Sequence, residues 1–510
     1  MPVVRFLALV ALSVMSAGSA VAQAPRPPAD STVKAVPPET TSVTHHSLTM
    51  DGKPIPYTAT AGNLLVRSDS GDVVGSFFYV AYSKDGDEAR KRPVTFVFNG
   101  GPGSSSIWLH MGSFAPVRVT TTDAGATPPA PYELKDNPYS LIDRTDLVFV
   151  DAMGTGFSRI VGKGDGKRFF GVDQDIRAFA DFITRYVTVN NRWNSPKLLM
   201  GESYGTMRAA GLSAFLQGRG MPMNGLILIS SFLNAYVDYP GPAFSLEIPY
   251  ALYLPTMAAT AWYHDKLTPR PADLMGFLRQ VREFALGDYL HALNQGARLT
   301  DAERAAVAAR LHQFIGISEG YLRNANIRLT PDRFEKELLR DTRRTTARLD
   351  ARYLGIDRDA AGETPEYDAT DAVIAGPFVS SFNAYLKNEL HYESDQRYLP
   401  SNYPVVGADW DNHHRAEGQR WPLADVSVDL REAMSKNPNL MIFSANGLFD
   451  FATPFFETDY TLQQMGLDPS LEKNIVYGYY QSGHMIYLNP ASLVQLRRDL
   501  GAFYSAVLAR

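Results

Sequence analysis

A chain of 510 residues, 45% hydrophobic and 11% aromatic, has room for one large α/β core with an insertion, or for two or three average domains. Its formal net charge of −5 is small for that length, which disfavours nucleic acid or an anionic membrane surface as a partner. There is no cysteine, so disulfides, thiol catalysis and thiolate metal sites are excluded.

The N-terminus reads as a targeting segment. Arg5 supplies a positive charge, and Phe6 to Met15 is an apolar run too short to span a bilayer comfortably. Ala20-Val-Ala22 is an A-x-A cleavage signal. Residues 1–22 are therefore expected to be a signal peptide, cut after Ala22, with the mature protein secreted or periplasmic and without a membrane span. An uncleaved anchor is the competing reading. Residues 23–44, Pro- and Ala-rich, are expected to form a mobile leader.

Between Thr49 and Tyr82 apolar and polar residues alternate between glycine turns, which predicts antiparallel strands over 55–60, 64–67 and 73–82. Val94-Thr-Phe-Val-Phe98 reads as a strand buried on both faces. It runs into Asn99-Gly-Gly-Pro-Gly-Ser-Ser-Ser106. No Lys-Ser/Thr follows and the G-x-G-x-x-G spacing is absent, so nucleotide binding is disfavoured. An oxyanion-type loop fits better, with a plain tight turn as the bland alternative. A strand is predicted at 147–150 and a helix at 173–187.

Lys197 to Met200 then reads as a short buried strand, Gly201-Glu-Ser-Tyr-Gly205 as a sharp turn, and 206–215 as a helix. That is the context of a G-x-S-x-G nucleophile elbow. A further strand is predicted at 225–229. Strands alternating with helices imply an α/β fold with a mostly parallel, doubly wound sheet. From 240 to 376 helix signals dominate, over 271–293, 300–314 and 330–349, and the region reads as an inserted helical cap. Residues 45–239 and 377–510 are expected to form the core, with late strands at 440–444 and 474–477 and a closing helix over 490–504.

A serine hydroxyl needs a base to take its proton, and the base needs a carboxylate to orient it. On such a sheet the chain order is Ser, Asp or Glu, His. Ser203 stands on the elbow, Asp450 follows the penultimate strand, and His484 alone among the histidines follows the last one. His264, His413 and His414 fall outside this layout and read as surface or structural residues. No H-E-x-x-H occurs, so a zinc hydrolase is disfavoured; neither a metal nor an organic cofactor is implied.

The blocks Asn99–Ser106, Gly154-Thr-Gly-Phe-Ser158, Gly201–Gly205, Asp450-Phe-Ala-Thr-Pro454 and Gly483-His-Met485, in this order, resemble the signatures of the serine carboxypeptidase family (peptidase family S10), and the segment 254–264 resembles its bacterial members. The resemblance implies an α/β-hydrolase fold and a peptidase that releases C-terminal amino acids from a peptide substrate through an acyl-enzyme. It implies Ser203 as nucleophile, His484 as base and Asp450 as its orienting carboxylate. It further implies the N–H groups of Gly101 and Tyr204 as oxyanion hole, and Asn99, Gly100 and Glu202 as the grip on the substrate's terminal carboxylate. Glu202 suits that role only with its proton, because two facing carboxylates repel unless they share one. This favours activity at acidic pH.

Several positions depart from the family pattern. Ser104 and Thr453 stand where cysteines are frequent, Val97 where a tryptophan is frequent, and Thr206 where a glycine is usual. An esterase or acyltransferase using the same triad, and a catalytically silent binding protein, remain as alternatives.

Overall fold

The computed structural model describes residues 33–238, 240 and 246–510. The expected signal peptide and the first part of the leader lie outside them. Nine strands form the path of one large sheet: β1 (Thr41–Met50), β2 (Lys53–Arg67), β3 (Val73–Lys84), β4 (Val94–Phe98), β5 (Asp146–Val150), β6 (Lys197–Ser203), β7 (Gly225–Ser231), β8 (Met441–Gly447) and β9 (Ile475–Tyr480). Their spatial order is β1-β2-β3-β5-β4-β6-β7-β8-β9. The first pairings, through β3 with β5, are antiparallel; from β5 onward all are parallel. The exchange of β4 and β5, followed by strands added outward through helical crossovers, is the topology of an α/β-hydrolase fold. Thr41 to Thr44, expected in the leader, are already paired in β1.

The central strands read as apolar runs because both faces are covered. Phe96, Phe98, Leu199, Leu226 and Leu228 face one core, filled by α1 (Val172–Val189) and α2 (Tyr204–Gly218). Val97, Leu198, Met200, Ile227 and Ile229 face the other. Between β7 and β8 the chain leaves the sheet as α3 (Ile248–Tyr263), α4 (Leu274–Phe284), α5 (Asp301–Ile315), α6 (Pro331–Glu337) and α7 (Ala369–Asn388), and returns through α8 (Ser427–Lys436). α8 completes the first core, and α7 the second, together with the closing helix α10 (Pro490–Leu508). Helices α3 to α6 bury their own cluster, which also takes in Phe449, Phe451 and, from α9 (Phe455–Gln464), Phe455 and Phe456.

The helix predicted over 330–349 is the main departure. It stops at Glu337; a single 3-10 turn follows, Arg343 takes a left-handed backbone (φ 57°), and Thr345–Thr346 pairs with Leu354–Gly355 as a small hairpin. The helical ladder is replaced by a turn in which the Leu339 carbonyl accepts from Thr342 and Arg344, and further on the Arg348 and Leu349 carbonyls serve other loops.

His413 and His414 lie on the segment that returns beneath the elbow. His413 meets Asp411 at 2.6 Å. His414 is buried, with Nδ1 2.7 Å from Asp173 at the start of α1 and Nε2 2.7 Å from Asp429 at the start of α8. Burial opposes its charge, but the two carboxylates outweigh this and hold its pKa at about 9. The folded value lies above the ordinary one, so the clamp stabilises fully below about pH 6.5 and is lost as pH rises through about 9. Melting temperature is expected to fall across that alkaline window. In His414→Gln the same fall, followed by scanning calorimetry, should be shallower; an equal slope would refute the clamp.

Candidate active site

Parallel strands place their following loops on one edge, and the register here brings four of them together. Phe98 pairs with Gly201, so Asn99 emerges beside Glu202. Gly447 pairs with Tyr480 at the ends of β8 and β9, so the loops carrying Asp450 and His484 leave side by side. Asn99, Gly100, Gly101, Glu202, Ser203, Tyr204 and His484 line one cleft of about 530 Å³. A larger cavity, about 720 Å³, lies between residues 37–40 and 383–396 and holds none of them. The convergence of titratable groups, not size, selects the smaller cleft.

Ser203 sits between β6 and α2 with φ 61° and ψ −132°, a strained conformation for a residue with a side chain. The turn is possible because Gly201 and Gly205 touch: a Cβ on Gly201 would lie 2.1 Å from the Gly205 carbonyl oxygen. A Cβ on Gly100 would likewise meet the Tyr204 nitrogen at 2.5 Å, so the Asn99 loop lies directly on the elbow. Tyr204 opens α2, where free N–H groups and the helix dipole favour negative charge. Thr206, in place of the usual glycine, donates to the Ser203 carbonyl (2.7 Å) and accepts from the Phe232 N–H (2.8 Å).

Asp450 is fully buried. Its Oδ1 accepts from the N–H groups of Ala452 (2.8 Å) and Thr453 (3.0 Å), and its Oδ2 from Thr453 Oγ1 (2.7 Å) and His484 Nδ1 (2.8 Å). Thr453, which replaces a frequent cysteine, thus orients the carboxylate. With Nδ1 donating to Asp450, the other nitrogen of neutral His484 is left as the acceptor. Burial lowers the pKa of this imidazole, but the charge and hydrogen bond of Asp450, with the charge of Glu202, together outweigh it and the net shift is upward.

Asn99 and Glu202 form a second buried pair. The Asn99 Oδ1 accepts from the Leu109 N–H (2.9 Å), so its Nδ2 must face Glu202 Oε1, at 2.6 Å. Tyr487 adds a long bond to the same oxygen (3.4 Å). Glu202 Oε2 is buried without a partner. Burial pushes the Glu202 pKa up to about 7, against the lowering effect of His484.

Beneath the elbow Arg208, 1% exposed, donates to both oxygens of Asp175 (2.7 and 3.3 Å) and to the Asn99 carbonyl (2.7 Å). It therefore ties helix α1 and the Asn99 loop to α2. Neither Arg208 nor Tyr487 was legible in the sequence, since each acts through a partner distant in the chain. Arg348, Leu349, Asp368 and Asp371 from the insertion also line the cleft.

Residues 52–222 match the family model described as serine carboxypeptidase. That segment, about a third of the chain, is similar to the serine carboxypeptidase family. The chain is similar to the pheromone-processing carboxypeptidase KEX1 of Saccharomyces cerevisiae, at 31% identity over 159 residues in one strain and 30% in another. The match covers 28% of this chain and spans only about a fifth of the length of those curated relatives. Solved structures that align with the chain include a proline iminopeptidase of Mycobacterium smegmatis (12% identity, TM-score 0.36, 88% of this chain and 99% of that one) and a lipase in its open form (13%, 0.33, 89% and 100%). The matched segment contains the Asn99 loop and the Ser203 elbow. Asp450 and His484 lie beyond it and are brought to the serine by the sheet.

Arg208→Met would leave Asp175 buried and uncompensated, and a loss of about 3–5 kcal/mol is expected in denaturant unfolding. Arg208→Met combined with Asp175→Leu should recover much of it. Equal losses in single and double variants would contradict the pairing.

Proposed function

We propose that this protein is a serine-type carboxypeptidase that releases C-terminal amino acids from peptides. The observation that carries this reading is the Asn99–Glu202 pair beside Ser203, with a carboxyl oxygen buried, unpartnered and lifted to a pKa of about 7. An ordinary esterase has no use for such a group. A protonated Glu202 and the Asn99 amide instead supply donors for a terminal carboxylate, with Gly100 allowing close approach.

In this reading Ser203 Oγ attacks the carbonyl of the last peptide bond and gives its proton to His484. The N–H groups of Gly101 and Tyr204 receive the oxyanion; one such donor is typically worth about 10²–10³ in rate. His484 then protonates the leaving amine, the C–N bond breaks, and the free amino acid departs. Water, deprotonated by His484, releases the remaining peptide from Ser203. The inserted helices, over 240–376, act as a cap that shapes the substrate side of the cleft.

We also propose export by residues 1–22, and mass spectrometry of the exported protein should find Gln23 at its N-terminus. A mature protein retaining residues 1–22 would overturn cleavage. Among the described residues no helix is long and apolar enough to cross a membrane.

The activity is tested with an unbiased peptide mixture, read by mass spectrometry, against a Ser203→Ala control. Stepwise loss of C-terminal residues is expected in the wild type alone. Because the acid form of Glu202 disappears as pH rises through about 7, kcat/KM on free-carboxyl peptides should fall across that range, and turnover of esters or amides should fall less. Glu202→Gln keeps a donor without a proton to lose, so its profile should be flatter. A flat wild-type profile would sink the proton-sharing idea. Ester turnover without peptide trimming would favour an esterase or acyltransferase.

A further inference from the structure

The loops that carry Asp450 and His484 meet directly where the Phe449 N–H donates to the Ser482 carbonyl (3.0 Å), and a second set of contacts joins them through the insertion. Both end on the same few residues of the insertion. The Phe451 N–H donates to the Arg348 carbonyl (2.9 Å), the His484 N–H to the Leu349 carbonyl (2.6 Å), and the Ala351 N–H to the Phe449 carbonyl (3.0 Å). Gly483 packs so closely that a Cβ there would lie 2.4 Å from Asp350 Cα and 2.4 Å from the Leu349 carbonyl oxygen. One short segment therefore contacts the residues flanking Asp450 and the residue preceding His484.

That segment is itself fastened at several points. The Leu349 N–H donates to Asp368 Oδ2 (2.8 Å) at the start of α7, and Thr345 Oγ1 to Asp357 Oδ2 (2.9 Å), which also pairs with buried Lys336. His264 Nε2, read from sequence as structural, donates to the Ala351 carbonyl (2.7 Å). Asp350 is fully buried and takes the Arg352 guanidinium in a fork, at 3.0 and 2.6 Å. The same guanidinium reaches Asp123 (2.9 Å) on a loop of the core. Placing a buried ion pair where a backbone strap must stay straight makes physical sense only if position matters, because such pairs add little net stability over apolar packing.

We propose that residues 348–352 form a brace that sets the position of Asp450 relative to His484, with Asp350 and Arg352 as positioning residues. The proposal rests on the reading that this pair activates Ser203. Arg348 and Leu349 line the cleft, but Asp350 and Arg352 are not among its lining residues, so these two act on the reactivity of the serine and not on capture of the terminal carboxylate.

The test uses the full chain and three variants: Arg352→Met, Arg352→Lys and Asp123→Asn. The rate of Ser203 labelling by a fluorophosphonate is measured with kcat, KM and melting temperature, well below each melting point. Arg352→Met should lower labelling and kcat together by roughly 10- to 100-fold, as small misplacements of catalytic groups do, with KM little changed. Arg352→Lys keeps the charge without the fork and should recover part of the loss. Wild-type labelling by folded Arg352→Met would overturn the brace. If Arg352→Met does not fold, Asp123→Asn decides: slower labelling at an unchanged melting temperature supports the brace, and wild-type labelling overturns it. A wild type that labels at Ser203 yet trims no peptide removes the carboxypeptidase reading, while the labelling rates still judge the brace.

Discussion

The site depends on one close approach, that of the Ser203 elbow to the loop after β4. Gly201 and Gly205 meet across the turn, and Gly100 lies on the Tyr204 nitrogen. A side chain at Gly201 would open the elbow itself, and one at Gly100 or Gly205 would push the elbow away from β4 and its loop. The register of β4 on β6 then fixes the rest: Asn99 falls beside Glu202, and the start of α2 points into the same cleft as Gly101. Arg208 reinforces the approach from below by binding the Asn99 carbonyl and α1 together.

Within that frame two buried carboxyl groups are given different surroundings. Asp450 receives four hydrogen bonds, one of them from the His484 imidazole. Glu202 receives one short bond and one long one at a single oxygen and none at the other, so burial dominates and the proton is retained to about pH 7. One edge of the sheet thus holds two buried carboxyl groups in different settings, one fully hydrogen-bonded and one half-unpartnered, because environment and not residue type sets them apart.

The central strands were legible because they are short apolar runs with both faces covered. The predicted 94–98 strand matches β4 residue for residue, and the 225–229 and 147–150 strands fall within β7 and β5. Chain order placed Ser203, Asp450 and His484 after strands of the parallel sheet, and the loops that carry them lie at one edge of it. What escaped were elements whose pattern is set by distant partners. α3 is buried along nearly its whole length, so it shows no polar stripe to mark it as a helix. The segment after α6 carries helix-forming residues but gives its carbonyls to the Asp450 and His484 loops. Thr453, seen in sequence only as a missing cysteine, serves the carboxylate directly.

The insertion is more than a cover for the cleft. Its apolar cluster takes in Phe449 and Phe451, the neighbours of Asp450 on either side, so the packing of the helices and the placement of that carboxylate are one problem. A lid hinged freely on the sheet would need a boundary with few crossing contacts. Here the boundary is crossed by apolar packing, by backbone hydrogen bonds to both loops and by the Arg352–Asp123 ion pair. Asp371 of the insertion lines the cleft without lying on the short segment that holds the loops. That placement separates part of the cleft lining from the support within the same stretch of chain.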